Sequence, residues 1–438
     1  MRRTTTLLRP AAWAGAAAAL LAASPARALQ PLEAFLASAG RHNADALESA
    51  ANVAETRAQA DVALGRVLPG IGVTGSYIHN QFASQLAVPT AGGGQQLVTV
   101  TPHDQLLGTA ALTVPLVDLA NLRRVDAART SGEAAERRRD ATDLQVQAEV
   151  AQDYYQLVAN VALAASSREA LAVSRESLRL AEARVAAGAA ATLEVDRARA
   201  DVEAQAQQVA AADLQVALAE RALESASGVA PQLSGGVVAL QDDLHPEPDL
   251  SAFDAGLETL PSVASVRLDA RAAEKDASAQ RLALLPTLAG VLTETGTDAP
   301  GLTGHDWAFQ GVLALTWTFD LTSVANVRAR DAAADVARAR EARARLAASD
   351  AIHRQWSTVA AAIARSRSAR AGREAAGHAS EQARVRYQSG TTTQLELLQA
   401  QRDAFAADVA RIQADADVVN ARAQLRLASG QPLLAERG

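Results

Sequence analysis

The 438-residue chain contains no cysteine, which excludes a disulfide framework, a thiolate zinc site, an Fe–S cluster and an acylated N-terminal cysteine. Any attachment to a membrane must therefore come from the fold. Lysine is almost absent as well. Lys275 stands alone, and arginine supplies the rest of the 42 basic residues, set against 49 acidic ones. The net charge is −7 and no basic patch is interleaved with aromatics, so nucleic-acid binding has no support. Beyond the first 28 residues no apolar run reaches the ~20 residues that a spanning helix needs. Catalytic signatures are missing too. The seven histidines, His42, His79, His103, His245, His305, His353 and His378, show no His-Glu-x-x-His spacing, and there is no Gly-x-Ser-x-Gly elbow or phosphate loop. No catalytic, cofactor-binding or metal-ligating residue is assigned. The pairs His103-Asp104 and His305-Asp306, 202 residues apart, read more simply as repeated loop chemistry than as a metal or pH-sensing ring.

What is present begins with an export signal. Arg2 and Arg3 form a cationic start, an Ala/Leu run covers Ala11 to Ala23, and Ala26-Arg27-Ala28 precedes Leu29. Residues 1–28 are expected to be a cleaved signal peptide, with a retained apolar anchor as the alternative.

The remainder is written twice. A shift of 202 residues aligns Arg184–Gly228 with Arg386–Gly430, with 15 of 45 positions identical. Five of the matches are alanine; the others include Arg184/Arg386, Gly188/Gly390, Leu193/Leu395, Glu194/Glu396 and Asp213/Asp415. Upstream, Leu68-Pro69 corresponds to Leu285-Pro286, and Ala111-Leu112-Thr113 to Ala314-Leu315-Thr316. Such self-similarity defines a duplicated architecture. The expected division is a first repeat over 29–228, a linker over 229–250, a second repeat over 251–430 and a tail over 431–438. Each repeat reads helix, strand, strand, long helix, shorter helix.

The long helices are expected over Leu119–Ala187 and Ser323–Ser389, each about 100 Å at 1.5 Å per residue. Their shorter partners are expected over Thr192–Ser227 and Thr393–Ser429, with N-terminal helices over Ala44–Arg66 and Pro261–Ala283. The partners carry a heptad seam. Val195, Ala198, Val202, Gln205, Val209, Ala212, Val216, Ala219, Leu223 and Ala226 recur at steps of three and four, and Leu397 to Ala428 repeat the pattern. Small residues dominate it, so one chain buries little along such rods, and lateral association with other copies is expected.

Four strand-like stretches, near 68–88, 96–117, 286–295 and 307–320, separate the helices. Leu313, Leu315, Trp317 and Phe319 alternate with Ala314, Thr316, Thr318 and Asp320, as a barrel wall between lipid and lumen requires. Four strands cannot close a barrel, and open edges cannot persist in lipid because every backbone group there must be paired. Several chains must then share one barrel; three would give twelve strands. A small soluble sheet is the alternative, which would make the chain a soluble periplasmic coiled-coil scaffold or adaptor.

The paired hairpin tips, Arg184-Val185-Ala186-Ala187-Gly188 with Leu193-Glu194-Val195, and Arg386-Tyr387-Gln388-Ser389-Gly390 with Leu395-Glu396-Leu397-Leu398 and Ala400-Gln401, resemble the marks of the TolC family of outer-membrane efflux proteins. The resemblance covers nearly all of the chain after residue 28. It implies an α+β membrane protein whose homotrimer forms a 12-stranded outer-membrane β-barrel continuous with a 12-helix periplasmic coiled-coil tunnel, the linker lying at the tunnel's equator. It also implies a passive exit channel for efflux or type I secretion in a Gram-negative outer membrane. Its partners would be outer-membrane lipid, a periplasmic adaptor (membrane fusion) protein and an inner-membrane transporter. The implied gate and docking residues are Arg184, Gly188, Leu193, Glu194, Arg386, Tyr387, Gly390, Leu395 and Glu396. Glu194 and Tyr387 match two linking partners and Glu396 matches an acidic ring. The chain departs from the family at Thr392, where the type member has arginine, and at Gln399, where it has a second acid.

Overall fold

The computed structural model describes residues 29–90, 92–233 and 240–433; the expected signal peptide and tail residues 434–438 lie outside the described residues. The first half runs α1 (Leu32–His42), α2 (Ala44–Gly65), β1 (Gly70–His79), β2 (Ser84–Pro89), β3 (Gln95–Thr101), β4 (Asp104–Val117), α3 (Leu119–Ala186) and α4 (Thr192–Ser227). The second half runs α5 (Leu250–Asp254), α6 (Pro261–Leu282), β5 (Thr287–Thr297), β6 (Trp307–Thr316), α7 (Leu321–Gln388) and α8 (Gln394–Ala428).

The long helices α3 and α7 are 68 residues each, rods of about 100 Å. Equivalent aspartates start them: the side chain of Asp118 accepts from the Asn121 N–H and that of Asp320 from the Ser323 N–H, satisfying donors that the first helical turn leaves unpaired. The heptad seam holds. Every seam position of α4, from Val195 to Ala226, is buried or half-buried, and the same is true from Leu397 to Ala428 in α8. Helix α8 is buried on a second face as well, through Leu398, Ile412, Ala416, Ala423 and Leu427, because it sits between α7 and α3.

The large apolar side chains gather midway along the rods. Phe35, Val150, Leu157 and Leu223 are fully buried in one cluster, and Val263, Ile352, Val359, Val418 and Leu425 in a second. Here the shorter helices end and α1, α2, α5 and α6 begin. Asn43 pins the first junction: its Oδ1 accepts from the Asp45 N–H at 2.9 Å, and its Nδ2 donates to the Ala226 carbonyl at 3.0 Å.

The strands form an antiparallel sheet in the order β1-β4-β5-β6, so the two repeats join through β4 and β5, with β1 and β6 at its edges. Ile71, Val73, Leu112, Leu292, Leu313 and Leu315 share one face by register, and most are more than half exposed. Each strand stretch of the first half is two strands rather than one. Pro102 has no N–H to give to a ladder, and Asn80 bonds the carbonyls of Pro102 and His103. Beyond that break, β2 and β3 pair as a separate two-stranded ribbon. In the second repeat a short loop joins β5 to β6 directly. Trp317 and Phe319, expected to continue the alternation, lie past the end of β6 with their rings 6.5 Å apart.

The described part of the linker from Asp242 to Glu247 is strapped to α7 and α8. Arg422 of α8, almost fully buried, reaches Asp242 at 2.9 Å, also pairs with Glu247, and donates to the His245 carbonyl at 2.6 Å. Arg367 and Arg370 of α7 hold the carbonyls of Leu244 and Asp242.

Both shorter helices end on a left-handed glycine, Gly228 (φ 73°) and Gly430 (φ 80°). A Cβ on Gly228 would stand 2.7 Å from Cβ of His42, and one on Gly430 2.8 Å from Cδ2 of Leu260. An L-residue in this conformation costs about 1–2 kcal/mol before any clash. Gly228→Ala and Gly430→Ala should each lower the thermal midpoint of the purified protein measurably. Gly65→Ala, at a helical position where a Cβ meets open space, should not lower it; equal midpoints for all three variants would contradict this account of the junctions.

Candidate functional site: the hairpin tips

At the far end of the rods the two helix hairpins, α3–α4 and α7–α8, reverse through the same hydrogen bonds. Gly188 N–H donates to Val185 O and Ala189 N–H to Arg184 O; Gly390 N–H donates to Tyr387 O and Thr391 N–H to Arg386 O. Gly188 and Gly390 hold φ of 72° and 76°, a region that glycine occupies without steric cost.

Between the hairpins lies a polar link. Tyr387, 1 % exposed, donates its phenol to Oε2 of Glu194 at 2.8 Å. The Arg184 guanidinium lies 4.6 Å above the Tyr387 ring and donates from Nη1 to the Tyr387 carbonyl at 2.6 Å. Cation–π contact and a charge-assisted hydrogen bond thus act on one residue. Gln394 closes the group by donating Nε2 to the Glu194 carbonyl. Burial, then the Glu194 carboxylate, push the Tyr387 phenol up to about 12.

Of the residues expected at the tips, the fold brings Arg184, Glu194 and Tyr387 into mutual contact. The other expected tip residues lie outside that group. Leu193 and Leu395 are 53 % and 62 % exposed, and the Arg386 and Glu396 side chains face solvent. Thr392, at the position of the family's arginine, donates to the Glu396 carboxylate instead. Thr393 caps α8 by accepting from the Glu396 N–H. Within one chain, then, the hairpins are linked by tyrosine and glutamate, while Glu396 remains available beside a neutral hydroxyl.

Two groups of polar contacts lie above the tip, and of their residues only Gln401 belongs to the tip motif named from the sequence. Asp201, 4 % exposed, accepts from Arg402 Nη2 at 2.8 Å and from Ser174 Oγ at 3.0 Å. Nearby, Ser177 and Gln401 exchange hydrogen bonds across α3 and α8. Ser174, Asp201, Gln401 and Arg402 line a cleft of about 250 Å³. Asp201 was visible only as one identity in the repeat, with Asp403 as its image. Gln394 carried no signal, because its image is Thr192.

The model of the outer membrane efflux protein family matches residues 36–229 and 254–431, and the chain belongs to that family. Among solved structures, it is similar to CusC, at 17% identity over 91% of this chain and 92% of that one, with a TM-score of 0.79. The outer-membrane channel OprN matches at 22% identity over 91% and 89% of the chains, TM-score 0.77. The Neisseria gonorrhoeae MtrE channel in its open state matches at 17% over 93% and 90%, TM-score 0.73. No curated protein matches by sequence. The fold is accordingly the protomer of an outer-membrane barrel with a helical tunnel, the sheet in the membrane and the helices in the periplasm.

Removing one phenol tests the link. Tyr387→Phe deletes a hydrogen bond to a carboxylate, worth about 1.5–3 kcal/mol, and should speed amide exchange at the tips while leaving the midsection unchanged; equal exchange would dismiss the link. Since the folded pKa lies above the ordinary 10, ionisation opposes the fold. The link is complete below pH 10 and is lost as pH rises through about 12. In an ultraviolet titration, the tyrosinate signal removed by Tyr387→Phe should appear near pH 12; appearance near 10 would contradict the burial argument.

Proposed function

We propose that the chain is one protomer of a passive homotrimeric exit channel, which performs no chemistry and moves cargo delivered by an inner-membrane transporter. The observation that carries this reading is the four-stranded sheet with an apolar face and two open edges, set on rods of about 100 Å. In lipid such edges must be paired, and pairing β1 of one copy with β6 of the next closes a ring. The tips, at the end of the rods away from the sheet, then meet a periplasmic adaptor, and the exposed Leu193, Leu395 and Arg386 offer it apolar and cationic contacts. Efflux of small molecules and type I secretion both fit such a duct.

The mouth is formed by three copies of each tip. With neutral Thr392 in place of an arginine, Glu396 presents one carboxylate per protomer, and three carboxylates around an axis favour cation binding. Detergent-extracted protein placed in planar bilayers should conduct, and divalent or trivalent cations added on the tip side should block the current. Glu396→Ala should weaken that block at least tenfold. An unchanged block removes Glu396 from the mouth, and a water-soluble elongated monomer without conductance would replace the channel by a periplasmic scaffold.

A further inference from the structure

The segments that build the sheet hold no basic residue. None stands between Arg66 and Arg123 or between Arg281 and Arg328, yet Asp104, Asp118, Glu294, Asp298, Asp306 and Asp320 lie within those stretches. Four of these acids are engaged inside the chain. Asp118 and Asp320 cap the long helices, Asp104 accepts from the Tyr77 phenol and bonds the His79 ring, and Asp298 accepts from the Leu106 N–H at 2.8 Å. Asp306 sits just before β6. Glu294 is exposed in the interior of β5, and its carboxylate has no hydrogen bond or ion pair among the described residues.

The register puts Glu294 on the apolar face of the sheet. Its partners across the ladders are Ala110 and Phe309, Val73 lies beyond Ala110, and Leu292 and Gly296 flank it along β5. The opposite face presents Thr74, Ser76, Thr109, Thr293, Thr295 and Gln310. Lipid covers the first face, because a barrel wall turns its polar side to the lumen. An ionised group on a surface that meets hydrocarbon is costly and calls for a partner.

Beside Glu294 runs a trench. Gly75, Gly108 and Gly296 stand in one row across β1, β4 and β5, and the row ends on Trp307 of β6. The indole lies against Gly296, where a Cβ would stand 2.9 Å from Cζ3 of Trp307, so only a glycine leaves it room. Tyr77 and Leu106 bound the trench on the side away from the rods, Val73, Ala110 and Glu294 bound it on the side toward them, and about 780 Å³ lies between.

We propose that this trench binds a lipid through a cationic amine in its headgroup, the ammonium resting between the Glu294 carboxylate and the Trp307 indole. One acyl chain then runs toward the rods over Leu112, Leu292 and Leu313, which share the face. Charge complementarity selects this occupant. The trench offers carboxylate oxygens and aromatic rings, it has no basic group to receive a bare phosphate, and an ammonium gains from both an indole face and a nearby carboxylate. All four strands belong to one chain, so the site rests on the sheet lying in the membrane and not on how many copies close the ring.

Native mass spectrometry of the full-length protein, extracted in detergent and equilibrated with equal amounts of phosphatidylethanolamine and phosphatidylglycerol, reads the preference. Retained phosphatidylethanolamine should exceed phosphatidylglycerol by about tenfold. Glu294→Gln removes the charge, and Gly108→Leu fills the floor at a position where a Cβ makes only an ordinary contact, 3.9 Å from the Gly296 carbonyl. Each should bring the two lipids to parity. Parity in the unaltered protein, or a preference that either variant keeps, would overturn the site. A preference for phosphatidylglycerol that appears with magnesium and vanishes with a chelator would overturn the amine and put a divalent cation between Glu294 and a lipid phosphate. A chain that stays in solution without detergent would contradict the membrane placement of the sheet instead.

Discussion

A four-stranded sheet with bare edges dictates most of what this molecule is. Backbone donors and acceptors along β1 and β6 cannot be left unpaired in hydrocarbon. Among the described residues no further strand covers them, because β2 and β3 are occupied with each other in their own ribbon. The helices repeat the problem in another form. Their seams are built of alanine and valine, which permit close approach but bury little area per turn, and much of the surface of α7 carries no partner within the chain. Sheet and rods therefore call for the same remedy, neighbours on both borders.

Duplication meets that demand economically and then diverges where one chain must differ from itself. The tips reverse through the same backbone bonds around Gly188 and Gly390, yet only the second carries a tyrosine, Tyr387, which reaches back to Glu194 of the first. The buried acids exchange places. Asp201 is enclosed while its image Asp403 lies on the surface; Asp415 is enclosed by Ser366, Arg370 and Arg411 while its image Asp213 meets Arg168 outside. Helix α8 is flanked by α7 and α3 while α4 leaves one side open, which buries Asp415 and exposes Asp213. Asp201 is enclosed for a different reason, because Ser174 of α3 and Arg402 of α8 close over it.

The sequence was most informative where local rules set the outcome. Heptad spacing located every seam position of α4 and α8, and the boundaries of the long helices shifted by two residues or fewer. The tip glycines were legible because a helix reversal needs a residue free of Cβ. The membership of the tip group was partly legible through the resemblance, which pointed to Arg184, Glu194 and Tyr387. Contacts made across 200 residues were not. Gln394 bonds a carbonyl, Asp201 is enclosed by Arg402, and Arg422 straps the linker; each depends on which helices become neighbours, and no local pattern announces that. The β2–β3 ribbon was hidden for a related reason, since the break at Pro102 is completed by Asn80, 22 residues away in the chain.

The central claim is that the unit of structure is a ring of copies sharing one sheet. Electron microscopy of the detergent-extracted protein tests it most directly. The account predicts a threefold hollow tube whose helical part is roughly 100 Å long and whose belt in detergent is a closed barrel of twelve strands. Single, elongated particles with no lumen and no detergent belt would contradict it.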